Sequence, residues 1–569
     1  MLSMSSAVAA VTPTVLQDFY LARISPDGRY IISQTNGSMQ IHDQQTGTDY
    51  TYIGGDMDEQ GRFLDYSLGH GRSCSSTGVI VGATAVDGTP SYWKDGEWHT
   101  VAALEQYPSV YFNDITDDGK MIVGDLSNLA NESEYDGTML VPAIWEDING
   151  DGSYSKMTML PRPTLDWFNQ APQYITAIGV DYAGNVIAGQ IVDCNGFYIY
   201  PIVWTKNDSG EWAFSYPTQN LFNPSGIEIP AAPGDSPNQP QPQDYMTEEE
   251  AAAYQAAMDE WMNNGWQGDA PNPANYMTAE EIAAYNAAVD SYNAAAEAWQ
   301  TAYDSFYGAV EQIIAESPNF VFNDIVFAPN GKTMYSTVEK AGASFWDPSE
   351  TGAFQYNFTD GSHVQLPMST NGISVTQAFD DGTVIGNTPV GFMSYMPSQA
   401  YIKLPTDTDF QLYYDYLKTA NPEIAEYMTA NMAHDVETVD EDYNPMVIEG
   451  LVCTGFPYAS NDLSTLAFGN MNMFWIDEHE YTTTVFTGIE SGIKDIAASK
   501  NSLAVKAQKG GIFTIAGQAA AIAVYDMSGR QVYAAANPGS VISTGLNSGV
   551  YIAKVTDVKG ADTIVKVMF

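Results

Sequence analysis

The stretch FNDITDDGKMIVGD, residues 112–125, sets the pattern for most of the chain. An Asp118-Gly119 turn separates two apolar runs, and the second run closes on Gly124. Tight turns need a residue at positive φ, which glycine takes without a Cβ clash. The flanking runs have the period of short strands. Six further copies follow the same plan: ARISPDGRYIIS (22–33, turn Asp27-Gly28), CSSTGVIVGA (74–83, Thr77-Gly78), TAIGVDYAGNVIAGQ (176–190, Ala183-Gly184), NDIVFAPNGKTMYST (323–337, Asn330-Gly331), VTQAFDDGTVIGN (375–387, Asp381-Gly382) and YASNDLSTLAFGN (458–470, Asn461-Asp462). The small residue closing the second strand (Gly82, Gly124, Gly189, Gly386, Gly469) is expected to let strands crowd near a common axis.

A third strand bearing an aromatic follows most turns: Trp93, Trp145, Trp204, Trp346, Tyr401 and Trp475, with His42 in the first unit. An acidic residue then comes within a few positions, as at Asp43, Asp95, Asp147, Asp347 and Asp477, and reads as hairpin chemistry. Setting aside two insertions leaves roughly 40–65 residues per unit, the length of a four-stranded blade. The expected fold is all-β, a seven-bladed β-propeller over residues 13–493, with six or eight blades left open because a terminal blade can draw strands from both chain ends.

The first insertion covers 233–317. It opens on the Pro-rich segment PAAPGDSPNQPQPQD, which resists regular structure. The phrase YMTEEEAAAYQAAMD (245–259) then recurs as YMTAEEIAAYNAAVD (276–290). Thr247 with Glu250 and Thr278 with Glu281 are capping boxes, each ahead of an Ala-rich run. They predict helices over 248–263 and 279–316, forming a hairpin. Tyr285, Tyr292, Trp299 and Phe306 recur every seven residues on the second helix, beside Tyr303 and Val310. This stripe packs the hairpin on itself or on the blades, or makes Tyr285, Tyr292 and Trp299 a partner-binding surface. The second insertion, 405–450, holds two short helices and the acidic loop 435–444.

The chain's 21 basic residues face 70 acidic ones, a net charge of −49, which argues against nucleic acid as a partner. From Lys494 onward seven Lys and one Arg meet four Asp, a local +4, so the first 493 residues carry −53. The sign change marks a boundary, with 494–511 as linker and 512–569 as a small C-terminal β-sandwich. Cys74, Cys194 and Cys453 lie far apart and read as buried apolar residues. No 18-residue apolar stretch is present, so no membrane span is expected. Residues 1–12, with Ala7-Val8-Ala9-Ala10, read as the tail of a signal peptide or as a frayed terminus.

Alternation of xDGxxxxG with aromatic-Asp-Gly segments over about 15–490 resembles the HAF-type extracellular repeats and, more distantly, WD-type and TolB-like propellers. The C-terminal segment carries VYDMSGR (524–530), LNSGVYI (546–552) and a final IVKV strand (564–567). It resembles the type IX secretion sorting domain, departing from it in the weak first strand at Ala519-Ala520-Ala521. The resemblance implies a bacterial secretion apparatus as partner of 512–569, and export to the outer-membrane surface or the medium.

Chemistry is sparse. Asp147, Asn149 and Asp151 match the first half of a D-x-N-x-D-G calcium loop, but the twelfth position is Thr158 in place of a bidentate Glu. Calcium at these residues is the one cofactor suggested. The six histidines have no paired ligand spacing, and no G-x-S-x-G elbow or phosphate-binding glycine loop occurs. The leading expectation is a non-catalytic binding module for a protein or glycan. The rivals are an extracellular glycan- or peptide-degrading enzyme with its site in the propeller cleft, and a structural surface component.

Overall fold

In a computed structural model the described residues are 12–35, 38–53, 64–66, 73–85, 90–101, 109–127, 140–193, 198–207, 209–318, 320, 325–339, 351–366, 373–388, 399–439, 445–452, 455–472, 480–489, 504–508, 512–516, 519–526, 530–546, 550–557 and 562–568. Residues 1–11, Trp346, Asp347, Trp475, Asp477, Cys194, Cys453 and the acidic positions 440–444 lie outside them.

The chain is mostly β, built from small antiparallel sheets, with four α-helices among the described residues. Sheet 1 comprises Leu21–Ile24, Tyr30–Thr35, Ser38–Asp43 and Thr48–Ile53. Sheet 2 follows with Leu64–Tyr66, Ile80–Ala85, Pro90–Lys94 and Glu97–Thr100. Sheet 3 has Ser109–Ile115, Met121–Ser127, Leu140–Glu146 and Lys156–Met159. Sheet 4 has Tyr174–Val180, Val186–Val192, Ile199–Lys206 and Trp212–Ser215. Sheet 5 has Ile325–Phe327, Thr333–Glu339, Thr351–Asn357 and His363–Gln365. Sheet 6 has Ser374–Ala378, Val384–Asn387, Ala400–Lys403 and Gln411–Leu412. Sheet 7 takes Pro457–Ala459, Thr465–Asn472 and Glu480–Thr487 from late in the chain, and its fourth strand is Thr12–Gln17. That strand runs antiparallel in register, Thr12 opposite Thr487 and Gln17 opposite Thr482.

Each turn joins the first and second strands of its sheet. Gly28, Gly78, Gly119, Gly184, Gly331 and Gly382 have φ between +67° and +88°. In the seventh copy Leu463 takes that left-handed place (φ +60°), one residue beyond the Asn461-Asp462 reading. The glycines closing the second strand act otherwise than expected. A Cβ on Gly124, Gly189 or Gly386 would overlap the carbonyl oxygen of Tyr111, Thr176 or Ser374 on the first strand of the same sheet. Each of those strands shifts register beside the glycine, so the glycine makes room for a bulge within its own sheet. Gly469 differs, with the Leu21 Cβ of sheet 1 next to it.

The cores lie between consecutive sheets. Tyr30, Ile41, Ile80 and Trp93 join sheets 1 and 2, and Val81, Phe112, Ile122 and Trp145 join sheets 2 and 3. Further clusters join 3 to 4, 4 to 5, 5 to 6 and 6 to 7. Leu21, Ile31, Ala467 and Val485 return from sheet 7 to sheet 1. Trp93, Trp145 and Trp204 are the large third-strand residues of these cores, each at most 1% exposed. Each buried tryptophan removes upwards of about 150 Å² from water, so these three weigh heavily in the packing.

Helices α1 (Glu248–Asn263) and α2 (Ala279–Glu316) begin at the two capping boxes, both formed in full. They do not lie along one another as a hairpin. Tyr254 of α1 packs on Tyr276 before α2, while the α2 stripe takes the Pro-rich segment: Trp299 Nε1 donates to the Gly234 carbonyl at 2.7 Å and Tyr285 meets Tyr245. Phe306, Val310 and Ile313 anchor the end of α2 in the core of sheets 3 and 4. The second insertion forms α3 (Tyr413–Ala420) and α4 (Pro422–Asn431), packed between sheets 6 and 7. Part of the expected acidic loop is instead a strand, Ala433–Val439, paired with Pro445–Val452.

At the C-terminus a three-stranded sheet (Ala504–Gln508, Ile512–Ala516, Val541–Ser543) and a four-stranded sheet (Gln531–Ala536, Ala519–Asp526, Val550–Asp557, Asp562–Met568) share the core of Phe513, Ile515, Ile522, Val524, Ile542 and Val555. Ala504–Gln508 falls in the expected linker 494–511 yet pairs with Ile512–Ala516, so this unit starts by 504. The alanine-rich run 519–521 opens a strand flanked on both sides, where neighbours supply the pairing that its composition favours weakly.

Candidate functional site

The repeated turns account for their own polar groups. Ser25 Oγ donates to Asp27 at 2.6 Å and accepts from the Tyr30 amide, while Asp27 accepts the Arg29 amide. Thr116, Asp118, Lys120 and Met121 repeat this arrangement, as do Ser460, Asp462, Ser464 and Thr465. The carboxylates of these Asp-Gly turns are therefore hairpin parts. The hydroxyl two residues before the Asp was not read from the sequence, although Ser25, Thr116 and Ser460 stand there, with Ser75 in the same place ahead of Thr77.

Adjacent turns also bond to one another. The Asn461 amide donates to the Pro26 carbonyl at 2.8 Å, Ser76 Oγ to Asp117 at 2.6 Å, the Asp117 amide to the Tyr182 carbonyl and the Asn330 amide to Asp380. Tyr182 Oη donates to Asn461 Oδ1 at 3.0 Å, joining the turns of sheets 4 and 7.

Buried carboxylates behind the turns bridge sheets. Asp114 accepts the Ser73 amide of the sheet 2 segment and the Val180 amide of sheet 4. Asp125 accepts Asn113 Nδ2, the Ala177 amide and Thr176 Oγ1. Burial pushes the Asp125 carboxyl up to about 7 against the pull of those three donors. Arg29 clamps buried Asp43 with two hydrogen bonds of 3.0 and 2.8 Å and holds its carboxyl down at about 2. These groups brace the scaffold.

The accessible polar and aromatic groups gather at the loop carrying Asp147, Asn149 and Asp151. Asp147 accepts the Asp151 and Gly152 amides at 3.1 and 3.0 Å, and Asp151 accepts the Ser153 amide. Hydrogen bonds from Ser153 hold the Asp151 carboxyl below its ordinary range. Asn149 is exposed. Among the described residues no three His, Cys, Asp or Glu side chains gather to hold a metal. A cleft of about 660 Å³ opens between this loop and sheet 2, lined by Tyr92, Trp98, His99, Thr100 and Asp151–Ser153.

The sheet 2 side follows from its hairpin. Asp95 and Gly96, at φ +51° and +94°, close a two-residue turn that puts Trp98 opposite Trp93 and His99 opposite Tyr92. His99 stacks on Tyr92 with centroids 5.0 Å apart, and Tyr92 Oη donates to the Gly152 carbonyl at 2.9 Å, tying the loop to the sheet. The sequence reading missed Tyr92, Trp98 and His99. The aromatic run SYWKDGEWHT was visible, but its partner loop lies some fifty residues on in another repeat. A second cleft of about 450 Å³, on the other side of the loop, contains Asp118, Lys120, Glu146, Asp147 and Asn149.

Of the residues expected to meet a partner, Tyr285, Tyr292 and Trp299 are half-buried along α2, and Tyr285 and Trp299 make the internal contacts described above. No helix among the described residues is long and apolar enough to cross a membrane.

No family model and no curated protein matches the chain. Among solved structures it is similar to prolyl oligopeptidase B from Galerina marginata. One such structure, bound to a 35mer hydrolysis and macrocyclization substrate, gives a TM-score of 0.33 at 9% identity, covering 79% of this chain and 46% of that one. The apo protein gives 0.32 at 9%, covering 80% and 47%. The chain thus spans about half the length of these peptidases, and likeness at this level carries no argument about activity.

Proposed function

We propose that the chain is a seven-bladed β-propeller acting as a non-catalytic extracellular binding module, with a glycan seated in the Trp98–Asp151 cleft. The seven sheets in strand order, their shared cores returning from sheet 7 to sheet 1, and the Thr12–Gln17 strand support the propeller reading. The Tyr182–Asn461 bond fits turns gathered around a narrow axis. The observation that carries the binding reading is the division of polar groups. The buried carboxylates Asp114 and Asp125 hold neighbouring backbones, while half-exposed Trp98 and His99 face ionised Asp151 across an open cleft. A sugar offers an apolar CH face to an aromatic ring and hydroxyls to a carboxylate, which matches that lining.

The C-terminal two-sheet unit serves in this reading as a type IX-like sorting module that brings the protein to the cell surface or the medium. Its support is the VYD strand, the LNSGVYI segment and the terminal strand, in that order. Glycan-array binding by the purified chain, with Trp98→Ala and Asp151→Asn beside it, tests the cleft. Loss of a specific glycan signal in both variants supports it. Turnover of a polysaccharide or peptide that disappears in Asp151→Asn favours the enzyme reading instead.

A further inference from the structure

From residue 207 to residue 331 the chain has no Lys, Arg or His. Within that span the last turn of α1 and the loop after it expose Asp259, Glu260 and Asp269. The same end of the segment is apolar as well as acidic. Trp266 is 65% exposed and Met262 39%, and Trp261 stands edge-on to Trp266 with ring centroids 4.7 Å apart.

The local sequence holds this arrangement in place. Gly265 (φ +69°) turns the chain out of α1, and Trp266 follows at φ +61°, a left-handed conformation that large side chains rarely adopt. The Trp266 amide donates to the Trp261 carbonyl at 3.2 Å, and Trp261 Nε1 donates to the Gly268 carbonyl at 3.2 Å. Trp261 is thus fixed to the loop, and the ring of Trp266 meets solvent.

We propose that this end of the inserted helical arm, residues 233–317, docks a Lys/Arg-rich polypeptide segment. An indole face is the most favourable aromatic surface for an ammonium or guanidinium group. The surrounding carboxylates attract cations, and no basic side chain within the span competes for them. Two such arms repel each other, which selects against pairing of arm with arm. The inference is independent of the Trp98 cleft.

The test uses the full chain and a fluorescein-labelled decalysine peptide, with decaglutamate as control, followed by anisotropy at low and moderate salt. Decalysine binds and weakens as salt rises, and decaglutamate does not bind. Trp266→Gly weakens decalysine binding about three- to tenfold. This substitution also removes the backbone strain, since glycine takes φ +61° freely, so unchanged circular dichroism and melting are expected with it. Trp266→Phe keeps most of the affinity. Asp259→Asn/Glu260→Gln/Asp269→Asn lowers both affinity and salt dependence, and Trp98→Ala leaves binding unchanged. Absence of decalysine binding overturns the proposal. So does equal binding by wild type and Trp266→Gly, which would trace the attraction to the chain's overall charge. Trp266-dependent self-association in sedimentation velocity would assign the surface to a second copy and overturn it too.

Discussion

The repeated sheets and the inserted arm treat the same residue types in opposite ways. In the sheets Trp93, Trp145 and Trp204 are buried, and the turn carboxylates accept backbone amides and hydroxyls of their own turns. In the arm Trp266 meets solvent, and several carboxylates stand exposed without a basic residue in the span. A residue whose partners are built into its own repeat supports architecture. One presented outward by a strained cap, as Trp266 is, is available to another molecule.

The largest effect should come from removing residues 1–17. Sheet 7 then loses a six-residue strand, at a cost of at least about 4 kcal/mol from its ladder bonds. Calorimetry should show a lower Tm, and the bared Glu480–Thr487 edge should promote aggregation. Trp204→Ala should cost about 3–5 kcal/mol in urea unfolding, whereas Trp266→Gly should cost almost nothing. Equal losses would erase the contrast between scaffold and arm. Gly124→Ala, set against the Tyr111 carbonyl, should destabilise by about 1–3 kcal/mol or more.

Two buried carboxylates should give pH slopes of opposite sign. Asp43 is held near 2, below its ordinary 3.8, so its contribution is complete above about pH 5 and is lost as pH falls toward 2. Asp125 is raised to about 7, so its contribution is full below about pH 4 and is lost as pH rises through 7. Asp43→Asn should remove the acid-side slope, worth about 1–2 kcal/mol, and Asp125→Asn the slope between pH 4 and 7. The smallest effect concerns calcium. With both Asp147 oxygens accepting amides, calcium in place of EDTA should move Tm by less than about 1 °C.

Much of this was legible because the signals are local. The left-handed glycines of the turns and the boxes at Thr247/Glu250 and Thr278/Glu281 each declare themselves within a few residues, and both helices end where their composition changes. What stayed hidden depends on distance or context. That a terminal unit could draw strands from both chain ends was legible, but the pairing of Thr12–Gln17 with Glu480–Thr487 was not, because the partner lies at the far end of the sheet series. The strand Ala433–Val439 was masked by acidity that reads as loop. The aromatic cleft needs Tyr92 and Gly152 brought together from separate repeats.

The central claim is that the repeated turns are scaffold and that recognition belongs to groups outside those turns. A matched pair of variants tests this most directly, each scored for glycan-array binding and for melting temperature. Asp118→Ala should lower Tm, through loss of about 1 kcal/mol of turn hydrogen bonding, and leave glycan binding intact. Trp98→Ala should abolish the glycan signal while the chain still folds, at a modest cost in Tm because the Trp98 ring also packs edge-on to Tyr52. Lost binding in Asp118→Ala at unchanged Tm, with Trp98→Ala still binding, would contradict the account.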